Sequence, residues 1–153
     1  IKAALFLDND EHQEIKTKIN HLVPNCKSYQ KIKNVLDSEG KGIYQGKIYV
    51  KDIAQKTNAY QLSKALLLDD NSEFNSKPEL EIYADDVKCS HGSTSGSIDE
   101  NSIHYLMTRG IELHAARKLL INGFLSEIFE NISEEKLKTF LKGIIKDQIN
   151  GIQ

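Results

Sequence analysis

The sequence contains no tryptophan, one methionine, two prolines and two cysteines in 153 residues. Cys26 and Cys89 are too few for a secreted disulfide framework and share no CxxC spacing, so a reducing, cytosol-like compartment is expected. No apolar run approaches the ~18 residues of a membrane span, so no membrane-spanning helix is expected. Neither sign of charge prevails: 20 basic and 22 acidic residues are interspersed, for a net charge of −2. No field exists to hold a polyanion, and nucleic acid is not an expected partner. All basic residues except Arg109 and Arg117 are lysines. What remains, 39% hydrophobic and 27% charged residues, is the composition of a soluble globular protein that buries roughly two thirds of its extended-chain surface. The chain opens "IKAALFLDND" without an initiator methionine, a charged leader or a cleavage site, and enters at once what reads as a strand. A fragment of a longer protein is expected.

From residue 1 to about 97 the apolar residues fall in short runs: "AALFL", "KIKNVL", "GIYQGKIYV", "ALLL" and "ELEIYA". Ile48 and Val50 share one face, as do Leu80, Ile82 and Ala84, which is the period of two of a half-buried strand. Turn residues separate the runs: Pro24-Asn25, Gly40, Gly42, Gly46, Asp69-Asp70-Asn71 and Lys77-Pro78. A sandwich and a parallel β-helix fit this pattern equally. From Ile98 onward the period changes. Leu113, Ala116, Leu120, Phe124 and Ile128 step by three and four, with Ile121, Leu125 and Phe129 widening the stripe. Leu137, Phe140, Leu141, Ile144 and Ile145 make a second stripe. A shorter helix over "IHYLMTR" precedes them, with a capping box predicted from Ser97 to Glu100 and Gly110 placed to end it; Asn131 to Glu134 repeats the box. The spacing thus predicts a β unit over 1–97 and a helical unit over 98–153.

The candidate sites differ in quality. "GKGIYQGK" lacks the GK[ST] of a phosphate loop and continues as a strand, so its glycines are expected at turns or close coil contacts. Asp85-Asp86 lie adjacent on a strand and point to opposite faces, which suits a corner better than a metal site. Beyond that corner Cys89 and His91 share one face, and a thiolate and an imidazole two residues apart can reach one soft or borderline metal. They could also work as a nucleophile and base, although no Asn or Asp is placed to orient the histidine, and spacing alone favours two residues simply packed at the end of a strand. His12, His21, His104 and His114 form no HxxxH or HExxH pattern, and Ser93 to Ser97 lacks the order of a nucleophile elbow. Gly123, in mid-helix, costs ~1 kcal/mol relative to alanine unless another group approaches it closely.

"KPELEIYADDVKCSHGSTSG", followed by "IDENSIHYLMTRGIELHAARKLLINGFLSEI", strongly resembles the SufB/SufD family of the SUF iron–sulfur cluster assembly system, and its D member more than its B member. "KGIYQGKIYV" and "QKTNAYQLSKALLL" resemble upstream family stretches, so the resemblance spans nearly all of residues 20 to 130. It implies a mainly β fold, a right-handed parallel β-helix whose C-terminal coils are residues 1–97, followed by a small α-helical domain at 98–153. It implies a non-enzymatic scaffold in the bacterial cytoplasm or a plastid-type stroma. Such a scaffold pairs with a SufB-like subunit, or with itself as a homodimer, and binds a SufC-like ABC-type ATPase. No tightly bound cofactor is implied; a transient Fe–S cluster or iron at the subunit interface is, handled by His91 and Cys89. The ATPase face that the resemblance implies comprises Tyr105, Arg109, Gly110, Ala116, Arg117, Leu120 and Phe124, with Arg109-Gly110 matching the family's "RGI" and Ala116-Arg117 its "AR". Departures are Ser93, where the family often has alanine, and Ser63 and Ala65, where asparagine occurs; a weaker internal side-chain ladder is expected there. Two other readings remain, a structural oligomerising β-helix and a carbohydrate-active β-helix enzyme. A β-helix cut across its coils would make residues 1 to 10 an association liability.

Overall fold

The computed structural model describes residues 1–130 and 132–151. Among these, the first part of the chain forms strands β1 (Lys2–Leu7), β2 (His12–His21), β3 (Lys27–Leu36), β4 (Lys41–Val50), β5 (Asn58–Leu67), β6 (Glu73–Ile82) and β7 (Lys88–Ser97). They alternate between two sheets, β1-β3-β5-β7 and β2-β4-β6, and every pairing is parallel. A strand that always pairs with the next strand but one, in parallel, is a coil stacked on a coil. The architecture is a parallel β-helix, not a sandwich. Its corners repeat in register: Asn25 and Lys56, one coil apart, both take positive φ (64° and 60°). The expected strand faces hold for Ile48 and Val50, both fully buried. Leu80 and Ile82 have the same inward parity but stay partly open, because β6 is the outermost strand of its sheet.

The interior is polar as well as apolar. Tyr44, only 1% exposed, lies against Leu5 and Ile32, and its hydroxyl stands 3.4 Å from Thr17 Oγ1, Gln30 Oε1 and Gln61 Oε1. Gln61 Nε2 donates to the Gly46 carbonyl at 3.2 Å. Ser63 Oγ meets Ser76 Oγ at 2.8 Å and Ser93 Oγ at 3.0 Å, so a serine ladder stands where asparagine was expected to be missed. Gly42 and Gly46 are buried inside β4, not placed at turns, and neither takes a positive φ. A Cβ on Gly46 would run into the Tyr44 ring and hydroxyl and the Gln61 amide. Gly46→Ala is therefore expected to cost about 1–3 kcal/mol through overpacking. The shift of its urea midpoint against wild type measures this.

The helical unit comprises α1 (Glu100–Thr108), α2 (Leu113–Ser126), a 3-10 turn (Glu127–Phe129) and α3 (Glu135–Asn150). The predicted box at Ser97 is displaced by two residues: Ser97 still belongs to β7, and Asp99 caps α1 by accepting from the Asn101 and Ser102 amides at 3.3 and 3.1 Å. Gly110, at φ 86°, ends that helix as expected. Glu134 is the α3 N-cap without a side-chain bond, and Asn131 of the second predicted box lies outside the described residues. Ile121, Leu125 and Ile149 close onto Val35 of β3, with Ala4, Phe6 and Leu66 around them. The buried edge of the α2 stripe is thus the Ile121–Leu125 side, whereas Leu113 is 41% exposed. On α3, Leu137, Phe140 and Ile144 face outward at 45%, 65% and 46% exposure. Nothing approaches Gly123, so its helical cost stands unrelieved.

Candidate functional site

Asp85 and Asp86 sit in the turn before β7, both exposed, and serve it with backbone bonds: the Asp86 amide donates to Gln55 Oε1 at 2.8 Å, and the Lys56 amide donates to the Asp86 carbonyl at 2.6 Å. This corner sets the phase of β7. Lys88 pairs with Asn58, so Cys89 stands over Ala59 and His91 over Gln61. Gln61 in turn stands over Gln30. His91 therefore tops an inward column of polar side chains, Gln30, Gln61 and His91, on the outermost strand of its sheet, and it is exposed. The two glutamines were not singled out from the sequence. Their signal is the interval of 31 and then 30 residues, one coil each, which becomes readable only once the strands are known to stack.

Cys89 is half-buried against the cluster of Ile48, Val50, Ala54, Ala59 and Ala84. Burial pushes its thiol above the usual cysteine range, with a backbone hydrogen bond at Ala59 pulling weakly the other way. At neutral pH it is a protonated thiol, and a metal must displace that proton to bind it. On an extended strand two residues span about 6.6 Å, so the two side chains can approach one centre from the same side. They cannot complete it. Among the described residues no group of three or more His, Cys, Asp or Glu side chains is gathered, while zinc or an iron–sulfur cluster takes about four ligands. Cys26 is half-buried ahead of β3 and lies at a different register position from Cys89.

The residues singled out on the helical unit divide by exposure. Tyr105 is 57% exposed, and with Leu120 it lines a shallow groove of about 370 Å3 between α1 and α2. Arg109 lies over the Tyr105 ring, 5.2 Å from its centroid, and Arg109, Gly110 and Arg117 are all exposed. Arg117 also borders a cavity of about 150 Å3 together with Asp37, Ser97, Glu100 and His114. Burial holds the Asp37 carboxyl above the usual carboxylate range. Two of the residues do not present themselves at the surface: Ala116 is fully buried, and Phe124 is partly buried with its ring under Lys33.

Among the described residues no helix is long and apolar enough to cross a membrane. Residues 1–124 match the family model of the SufBD core domain, of SUF system FeS cluster assembly. The chain is 37% identical over 138 residues to the iron-sulfur cluster assembly protein SufD of Escherichia coli, covering 90% of this chain and 33% of that protein. It is 38% identical over 134 residues to an iron-sulfur cluster assembly SufBD family protein of Synechocystis (88% and 29% covered). It is 36% identical over 139 residues to the chloroplastic protein ABCI7 of Arabidopsis thaliana (90% and 29%). The chain thus spans about a third of the length of these relatives. A stacked parallel β-helix, the Cys-Ser-His strand at its outer edge and the matched core domain lead to one assignment: the chain belongs to the SufB/SufD family of the SUF iron–sulfur cluster assembly system.

Proposed function

We propose that this chain is part of a non-enzymatic scaffold subunit on which an iron–sulfur cluster is assembled, with iron or the nascent cluster as transient cargo. The observation that carries this is the position of Cys89 and His91, two residues apart and in phase on a strand that ends its sheet, with no further strand on its other side among the described residues. Two soft or borderline donors at an open edge form half a ligand shell, and a second subunit supplies the rest. That subunit is a SufB-like protein or a second copy of this one, pairing across β7. The groove at Tyr105 and Leu120, with the exposed Arg109, Gly110 and Arg117, is the face that receives an ABC-type ATPase. The setting is bacterial cytoplasm or plastid stroma. A carbohydrate-active groove gains no support from the outer face of the β2-β4-β6 sheet, where Lys16 pairs with Glu14, Lys47 with Glu81 and Lys77 with Glu79.

The test uses cells that make the intact gene product with its SUF partners. His91→Ala is expected to leave folding and complex formation intact and to lower the yield of clusters by about 10-fold or more. Arg117→Glu is expected to reduce capture of the ATPase while sparing the pairing at β7. Wild-type cluster yield in a folded His91→Ala protein counts against the cargo site; no ATPase captured by wild type removes the scaffold reading altogether.

A further inference from the structure

Strand β3 turns Lys31 and Lys33 outward, towards the helices, and β1 sets Lys2 in register with Lys31, as β5 does Lys64 with Lys33. A lysine on an outward face normally reaches water. The Lys33 side chain is 0% exposed and that of Lys31 12%. An ammonium so placed needs compensation at every donor. Lys33 Nζ donates to the Phe124 carbonyl at 2.5 Å and to Glu127 Oε2 at 2.6 Å, and it lies 4.2 Å from the centre of the Phe124 ring. Lys31 Nζ reaches the same Glu127 oxygen at 3.1 Å, and Lys2 Nζ donates to the Glu130 carbonyl. All these acceptors belong to the end of α2 and the turn after it, where a helix leaves carbonyls unpaired and carries the negative end of its dipole.

Charge at this junction is lopsided. Lys31 and Lys33 share one carboxylate, with Lys64 in register beside Lys33, and that carboxylate is the accessible member, with 44% of its side chain exposed. Hydrogen bonds from Lys33 and Lys31 hold the Glu127 carboxyl down at about 2, so it is ionised wherever the protein is folded at ordinary pH. Lys33 itself moves down, because burial outweighs the pull of Glu127; the ion pair and the ring beneath it keep the charged form the relevant one.

We infer that Glu127 is the catch of a latch: through Lys31 and Lys33 it fastens the helical unit to the β-helix, and its loss lets α2 and α3 lift from β3 as one piece while the coils stay folded. A neutral residue at 127 strands a buried ammonium among like charges, and the strain is confined to the one face where helices meet strands. This holds whatever partner the helices bind.

Hydrogen exchange read by mass spectrometry decides it, comparing wild type with Glu127→Gln and with the double variant Lys33→Met/Glu127→Gln. Glu127→Gln is expected to speed exchange of the α2 and α3 amides at least about 10-fold, with β4 and β5 unchanged. The double variant, which leaves no buried Lys33 charge to compensate, is expected to bring α2 and α3 back towards wild-type protection. The inference is overturned if Glu127→Gln leaves the helices as protected as before, if it speeds strands and helices alike or abolishes folding, or if the double variant shows no recovery.

Discussion

Tyr44→Ala is expected to destabilise the β-helix by about 3–5 kcal/mol, the range for removing a large buried ring. Tyr44 is 1% exposed and heads the largest fully buried side chains. Its ring fills the space between Leu5, Ile32 and Phe74, so truncation leaves a cavity that stacked, mutually bonded strands cannot collapse to fill. Truncation also takes a hydroxyl from among Thr17, Gln30 and Gln61, the latter two fully or nearly fully buried. Tyr44→Phe separates the two contributions, since it keeps the ring and removes only that hydroxyl, at about 1 kcal/mol. Urea unfolding of the two variants beside wild type measures both. A Tyr44→Ala loss no larger than that of Tyr44→Phe would mean that the ring is not packed.

At the other core, Leu125→Ala is expected to cost about 2–5 kcal/mol. Leu125 is 1% exposed and touches Val35, Ile121 and Ile149, which makes it common property of a helix, a strand and a second helix. The damage should fall on the junction, because the interior around Tyr44 is a separate cluster. Two observables follow: an earlier loss of helical circular dichroism on heating and, on the function proposed above, weaker capture of an ABC-type ATPase even though Leu125 does not reach the surface. Unfolding of helices and strands in one unshifted step would show that the junction adds nothing to stability.

Much of this was legible in the residues, and the exceptions have physical causes. The alternation in "KIYV" located the inner face of β4 because both neighbouring strands cover it. Strand β2 escaped notice because its inward positions, Gln13, Ile15, Thr17, Ile19 and His21, mix polar and apolar groups and show no clean alternation. The polar edge of β7 was visible as Cys89 and His91 in phase, but period two does not say which strand is a neighbour, and the choice of a β-helix came from family resemblance. Helical stripes overstated burial: Leu137, Phe140 and Ile144 repeat as a core would, yet they look outward. Lys33 was invisible by type. Charged residues are read as solvated, and the group that makes its burial tolerable, Glu127, lies 94 residues away.

The close fit at Gly46 also bears on traffic. At that level the tyrosine ring and a glutamine amide leave no room for even one methyl group, so side chains fill the interior of the coil beside Gly46. On the function proposed above, an ion bound for His91 finds no space beside Gly46 through which to pass. The approach that the fold leaves open is from outside, where His91 stands exposed on the outermost strand of its sheet.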